Sequence, residues 1–480
     1  MAWPAGCAGE SVPSADVNAD GAASPPHVVT RLQQRWVTAA AAWFGLAYLW
    51  VVLGYNIYRQ WIRVPILDGR ADAMALVGVA VAALSLATGR RTRAQLALGG
   101  LLAIWLASPA FSAWGLSGAP DTVYFRWAAI GCGLYFGVVA ARPLWSGWSI
   151  VVLGSVYLLL NLIVYWKAYY SLGTLFPGAS IWWSSSAGGW VPALPSLEEL
   201  QGYAGPYPQS LPGKAWALIT QVPGLAYFQL HGMTVNATYT GDFVGPFVVF
   251  AVAFLASARR KVGTRWVRWA VVSLLMGILA VGFFLLFVLD ARTAIGAVVI
   301  AILASRLVPA GAARGRLPIV AAVAIPLVVL SVPLVTKLAG LYLSGRNCVW
   351  ASWWARVAEN PVFGGGPPGA IENVCGDFFI VNAHNELLQS ISIGGLLGLV
   401  ASVGVLVILG WLSVRYLRED DRVLLAVMIC YAVLMPMEVF TTDWAIMWFI
   451  AMSARSVGVI GGRDDPRSVD PSTPVASART

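Results

Sequence analysis

Twelve apolar runs, almost free of charge, dominate this chain and restrict what it can fold into. They lie near residues 37–55, 73–89, 95–111, 127–141, 144–165, 244–257, 268–289, 291–307, 317–335, 393–412, 422–437 and 444–457. A helix needs about 20 mostly apolar residues to cross the hydrocarbon core of a bilayer, and most of these runs approach that length. Water offers such a chain no folded state. Of its 480 residues 59% are hydrophobic and 11% charged, against about 45–50% and 25% in soluble domains. The same figures exclude a disordered chain, a collagen-like repeat and a coiled coil, and five cysteines are too few for a disulfide scaffold. The sequence predicts an all-α polytopic membrane protein of about twelve transmembrane helices.

Orientation follows from the basic residues between the runs. With the N-terminus in the cytoplasm, 21 of the 31 Lys and Arg fall inside and 10 outside, as the positive-inside rule asks. An even number of spans also returns the C-terminal arginines to the cytoplasm. The loop 56–72 runs against the pattern, with Arg59, Arg63 and Arg70 on the outer side. The net charge of +9 is therefore an orientation signal for a cell membrane protein. It is no nucleic-acid footprint, since no basic run is interleaved with aromatics on a soluble face.

Residues 1–36 carry Glu10, Asp16 and Asp20 with no basic segment leading into a short apolar core, so they do not read as a cleaved signal peptide. They and residues 458–480 are rich in Ala, Ser, Pro and Asp, which suits disordered cytoplasmic tails around a transmembrane domain at 37–457.

Two outer loops, 166–243 and 336–392, exceed what a connection needs. The first holds Trp182, Trp183 and Trp190 among many prolines, which suits a short re-entrant or interfacial structure. Its aromatics fit either an interfacial belt or a stacking surface for sugar rings. Asn236 opens an Asn-Ala-Thr sequon, which carries meaning only in a host that N-glycosylates.

Chemistry concentrates in the second loop. Its order is Ser344-Gly345-Arg346, Trp350, Asn360-Pro361, Phe363-Gly364-Gly365-Gly366, then Asn382-Ala383-His384-Asn385, Leu388, Gly394-Gly395 and Gly398. Val349, Trp350, Trp353, Trp354 and Val357 recur at helical spacing, which predicts a short amphipathic helix on the membrane surface that Asn360-Pro361 ends. The planar donor fork of Arg346 matches a phosphate or carboxylate. His384 has the residue type to take a proton from a hydroxyl near neutral pH, while a packed histidine is the plainer reading. At the junction of two runs, Asp290 and Arg292 bracket Ala291. Charges at such depth tend to be functional, though these two can also pair or reach up to the interface. In the functional reading Asp290 orients Arg292, and Arg292 with Arg346 forms a clamp for a diphosphate.

The ordered set Arg346, Trp350, Asn360-Pro361, Phe363-Gly364, Gly366, His384-Asn385, Leu388, Gly395 and Gly398 resembles the O-antigen ligase/polymerase superfamily. So does the arrangement, with a large outer loop ahead of the last three spans. The resemblance implies a GT-C-like fold whose outer loop carries short helices. It also implies transfer of a glycan from a polyprenyl-diphosphate donor, such as an undecaprenyl diphosphate, to an acceptor hydroxyl on the outer face, without a metal ion or other cofactor. Arg346 and His384 then correspond to the essential arginine and histidine of the family loop. Arg292 looks like its second arginine, although Ala291 and Thr293 flank it where the family has Ser or Thr and Gly. Asn385, Trp350 and Asp290 are the expected substrate-binding residues, Asn385 fixing either the histidine ring or the loop. A ligase, a polymerase and a protein-modifying enzyme, with glycan, lipid or protein acceptors, all remain open. The alternative class is a transporter or lipid-linked-glycan flippase. Against it stand span interiors with almost no charge and no similarity between halves. No Asp-x-Asp motif occurs in the outer loops and no His/Cys spacing supplies a zinc site. Cys348 and Cys375 both lie on the oxidising side and can close the loop as a disulfide.

Overall fold

The computed structural model describes residues 26–62, 69–88, 91–118, 121–171, 180–184, 189–193, 237–261, 263–288, 291–309, 311, 313, 315–338, 346–366, 371–372, 379–380, 382–418, 421–440 and 445–461. The apolar runs form helices: α1 (Pro26–Ile62), α2 (Gly69–Thr88), α3 (Arg93–Ser117), α4 (Thr122–Ala140), α5 (Pro143–Ser171), α6 (Ala237–Lys261), α7 (Arg265–Val288), α8 (Arg292–Leu307), α9 (Leu317–Leu338), α11 (Glu386–Arg415), α12 (Val423–Leu434) and α13 (Ala445–Gly461). Between α9 and α11 lies the additional helix α10 (Arg346–Glu359). Two small antiparallel hairpins complete the described residues: β1 (Ser180–Ser184) with β2 (Gly189–Ala193), Trp183 in register with Trp190, and β3 (Ile371–Glu372) with β4 (Phe379–Ile380).

Among the described residues nine helices, α1 to α7, α9 and α11, are long and apolar enough to cross a membrane. The chain is a multi-pass membrane protein. The other three expected spans are helices but short ones: α8, α12 and α13 have 16, 12 and 17 residues. At about 1.5 Å per residue, α12 reaches only about 18 Å, short of a hydrocarbon core of about 30 Å. At the other end, α1 begins at Pro26, inside the stretch expected as a tail. Residues 1–25 and 462–480 lie outside the described ones, as does most of the loop 166–243 beyond the β1–β2 hairpin.

Burial sorts the helices by position. The spanning window of α6 is 83% buried, against 28% for α7 and α9, so α6 is central and the other two face outward. Small residues set the closest approaches: α1 meets α4 at Gly45 and Gly137, and α2 meets α4 at Gly78 and Gly133, where a Cβ on Gly133 would run into the Gly78 backbone. Without a hydrophobic difference between lipid and side chain, contact of this kind drives association in a bilayer. The core joins most helices through large side chains such as Tyr135, Tyr157, Phe247, Phe254, Tyr431 and Phe449.

Two features, one within the 336–392 region and one just after it, position the site. The predicted amphipathic helix is present as α10, ended by Asn360-Pro361. Its apolar face, however, does not lie on the membrane surface. Val349, Trp350, Trp353 and Val357 pack with Ala383, Leu388 and Ile393, against Val332 of α9 and Met437. The second feature is a break in α11 at Gly395, which has φ 61° and ψ −156°. The loop after α10 enters this break: the Gly365 N–H donates to the Ser392 carbonyl at 2.6 Å, and the Leu396 N–H donates to the Val362 carbonyl at 2.9 Å. Backbone groups freed by a kink at membrane depth need internal partners, and the loop supplies them. Arg356 in turn donates to the carbonyls of Gly365 at 2.6 Å and Gly366 at 3.3 Å and stacks on the Trp353 ring at 5.7 Å. Burial of its guanidinium lowers the Arg356 pKa, an effect that the charge of Glu359 opposes.

Candidate functional site

The start of α11 is built as a clasp. Asn385 is its N-cap, the side-chain oxygen accepting the Leu388 N–H at 2.9 Å, which is the usual use of Asn at a helix start. The Asn385 amide nitrogen donates to the Val329 carbonyl of α9 at 2.7 Å and to the Pro436 carbonyl at 3.2 Å. The next residue, Glu386, donates its N–H to the Met435 carbonyl at 3.0 Å, and its carboxylate accepts the Phe440 N–H at 2.6 Å. Main-chain groups on both sides of Glu438 are thus tied to α11. Position 438 is decided by this clasp, since α12 ends at Leu434 and only a turn over 435–437 follows.

Into the pocket of backbone so formed project three side chains. Glu438 is fully buried, and its two carboxylate oxygens have different partners. One accepts from Arg346 Nη2 at 2.8 Å; the other lies 3.4 Å from His384 Nδ1. Arg346 and His384 keep 22% and 28% of their side chains exposed. A carboxylate without solvent is costly unless paired and hydrogen-bonded, so Glu438 requires at least one of these cationic partners. His384 is the one described non-glycine residue with a positive φ, 45°, a sparsely populated region whose strain the surroundings must hold. They do so through the Asn382 side-chain oxygen, which accepts the His384 N–H at 3.3 Å, and through Gln389, which accepts the Ala383 N–H at 2.7 Å.

Chemically the arrangement has two faces. A hydrogen on His384 Nδ1 is attracted to the carboxylate, which leaves the lone pair on Nε2 free to take a proton. Arg346 is the first residue of α10, where the partial positive charge of the helix N-terminus adds to that of the guanidinium. Its Nε is buried without a hydrogen-bond partner.

The residues singled out from sequence fare differently. Arg346 and His384 are brought together, through a residue the sequence reading missed. Arg292 is likewise the first residue of a helix, α8, and is exposed, but it does not enter the Arg346–Glu438–His384 contact. Asp290 and Cys375 lie outside the described residues, as do His231 and Asn236. Cys348 is disulfide-bonded, while Cys132 and Cys430 are free. Asn385 is fully buried with its amide committed to the clasp, so it fixes the loop and not a ligand. Trp350 is 2% exposed within the α9–α10–α11 cluster, a packing residue and not a platform for a sugar. Glu438 had one sequence signal: with Asp443 it is one of two acids in the short break after Pro436 between the last two apolar runs. An ionisable residue so placed calls for a function.

An apolar groove of about 690 Å³ lies elsewhere. Phe111, Trp114, Val362, Phe363, Leu396 and Val400 line it beside the α11 break, at the end of α10 away from Arg346. Arg346 and Arg356 are ten residues apart on that helix, about 15 Å. Among the described residues no group of three or more His, Cys, Asp or Glu is placed to hold a metal ion. Compared with protein-family models and with curated proteins, the chain matches none.

Proposed function

We propose that this protein is a membrane glycosyltransferase of the O-antigen ligase/polymerase type, with about twelve crossings in a GT-C-like arrangement, counting α8, α12 and α13 as short spans. Both termini lie in the cytoplasm and the loop bearing Arg346 and His384 on the outer face of the cell membrane. The observation that supports this reading is the convergence of Arg346 and His384 on one buried carboxylate, Glu438.

In the reaction the acceptor hydroxyl approaches the anomeric carbon of a glycan held on a polyprenyl diphosphate. His384 Nε2 takes the hydroxyl proton as the new carbon–oxygen bond forms. The bond from the anomeric carbon to the diphosphate breaks, and its electron pair leaves with the phosphate oxygen. Arg346 stabilises that developing charge, the kind of electrostatic contribution that usually dominates group transfer. Arg292 is the second cation of the proposed clamp, and Asp290 its orienting carboxylate. Glu438 touches neither substrate. It holds the histidine tautomer and fixes the guanidinium, so it is a positioning residue.

Purified protein given a polyprenyl-diphosphate glycan and an acceptor tests this directly. His384→Ala, inserted normally in the membrane, is expected to lose transfer by about 100-fold or more; a wild-type rate would overturn the assignment. Movement of the lipid-linked glycan between leaflets without a new glycosidic bond would mark a flippase. In a deletion strain, accumulation of single lipid-linked repeats indicates a polymerase, and accumulation of full-length polymer on the carrier indicates a ligase.

A further inference from the structure

Far from the clasp, at the other ends of α6 and α8, the structure holds a second cationic arrangement. Three arginines from three helices border one cleft: Arg260 in the last turn of α6, Arg306 in the last turn of α8 and Arg422 at the start of α12. Below them the cleft wall is Val249, Val252, Ala253, Ala256, Ile302 and Ala426, with Ser305 between, and no carboxylate is among the described residues that line it. Arg422 is fixed in place. One of its terminal nitrogens donates to the carbonyls of Ser305 at 2.5 Å and Val308 at 2.6 Å, groups that the end of α8 leaves without helical partners. The described acid beside it in the chain, Asp421, is engaged with Arg455 at 3.5 Å and with the Val423 N–H at 3.3 Å. Arg260 and Arg306 are exposed, whereas Val252, Ala253, Ala256 and Ile302 are half-buried.

The division is that of a phospholipid: cations at the rim, a strip of partly open apolar wall running into the bilayer beneath. The space inside is small, about 10 Å³, room for about one water. A phosphate therefore sits on the rim among the guanidinium groups, with the acyl chains along the wall.

We infer that the Arg260–Arg306–Arg422 cleft is a binding site for the phosphate of an anionic phospholipid, holding α6, α8 and α12 together at the membrane surface. Juxtamembrane Lys and Arg attract anionic lipid, and basic pockets between helices are a recurrent form of such sites. The proposed orientation puts this site at the inner leaflet, and the inference does not depend on glycosyl transfer.

The test uses the full chain in neutral detergent, supplied with phosphatidylglycerol, with phosphatidylcholine of the same acyl chains, or with inorganic phosphate. Retained lipid is counted by native mass spectrometry and stability read as Tm. Phosphatidylglycerol is expected to be retained and to raise Tm; phosphatidylcholine and inorganic phosphate are not. The double variant Arg260→Gln/Arg306→Gln should lose retention by roughly tenfold or more. Arg265→Gln/Arg268→Gln, at the start of α7 and outside the cleft, should keep it. Equal retention of phosphatidylcholine by the wild type, an equal Tm rise with inorganic phosphate, or an equal loss in the α7 variant would each overturn the inference. The wild-type arms decide the question even if a variant fails to fold.

Discussion

Glu438 shows how one residue can set the properties of two others. Because it has no solvent, its charge must be balanced by Arg346, and its second oxygen fixes the His384 ring. Glu438→Gln keeps the shape and removes the charge. Transfer is expected to fall by about 100-fold while membrane insertion stays normal, with Glu438→Asp recovering part of the rate. A purely structural role would predict equal losses in stability and rate, so Tm measured beside kcat separates the two. Asn385→Ala acts one step further back. It removes the cap of α11 and both ties to α9 and the Pro436 segment, and is expected to lower stability by about 1–2 kcal/mol, read as Tm in detergent, with a loss of transfer through displaced Glu438.

At the scale of elements, the break in α11 and the loop that fills it form one unit. Gly395 takes φ 61°, and a Cβ there would run into the Val362 carbonyl oxygen; Gly364, at φ 74°, faces the Gly395 backbone in the same crowded junction. Gly395→Ala should therefore destabilise the protein by about 2–4 kcal/mol through both strain and clash, a shift measurable by thermal unfolding. Gly100→Ala, on α3 with open space around its Cβ, should have no comparable effect. Sequence made the glycines of 364–366 and 394–398 visible as places where the backbone can bend or approach closely. It could not say that one set fills the gap opened by the other, because the partners are about 30 residues apart and are brought together only by α10 folding back on α11. The same applies to α10. Its apolar periodicity was legible, but a helix face of this kind reads alike whether it meets lipid or a neighbouring helix.

For the whole molecule, the decisive property is orientation. With the termini in the cytoplasm, a cysteine placed at Val362 should react with a membrane-impermeant reagent added to intact cells, whereas one placed at Gly263 should react only after permeabilisation. The reverse pattern would put Arg346 and His384 on the inner side and remove an outer-face reaction. The short helices α8, α12 and α13 bear on the same point, since each packs against the longer, central α6.

From the sequence alone follow a polytopic membrane chain and the approximate places of its helices. Those are consequences of apolar length, local periodicity and the high cost of charge in hydrocarbon, all of which act along the chain. Tertiary structure alone decided that Glu438 joins Arg346 and His384, that Asn385 and Trp350 serve the fold, and that Arg292 stands outside their contact. A carboxylate 92 residues from its arginine and 54 from its histidine leaves no mark in local pattern. Its partners are chosen by where the clasp at α11 holds the backbone, and that is settled only when the helices have packed.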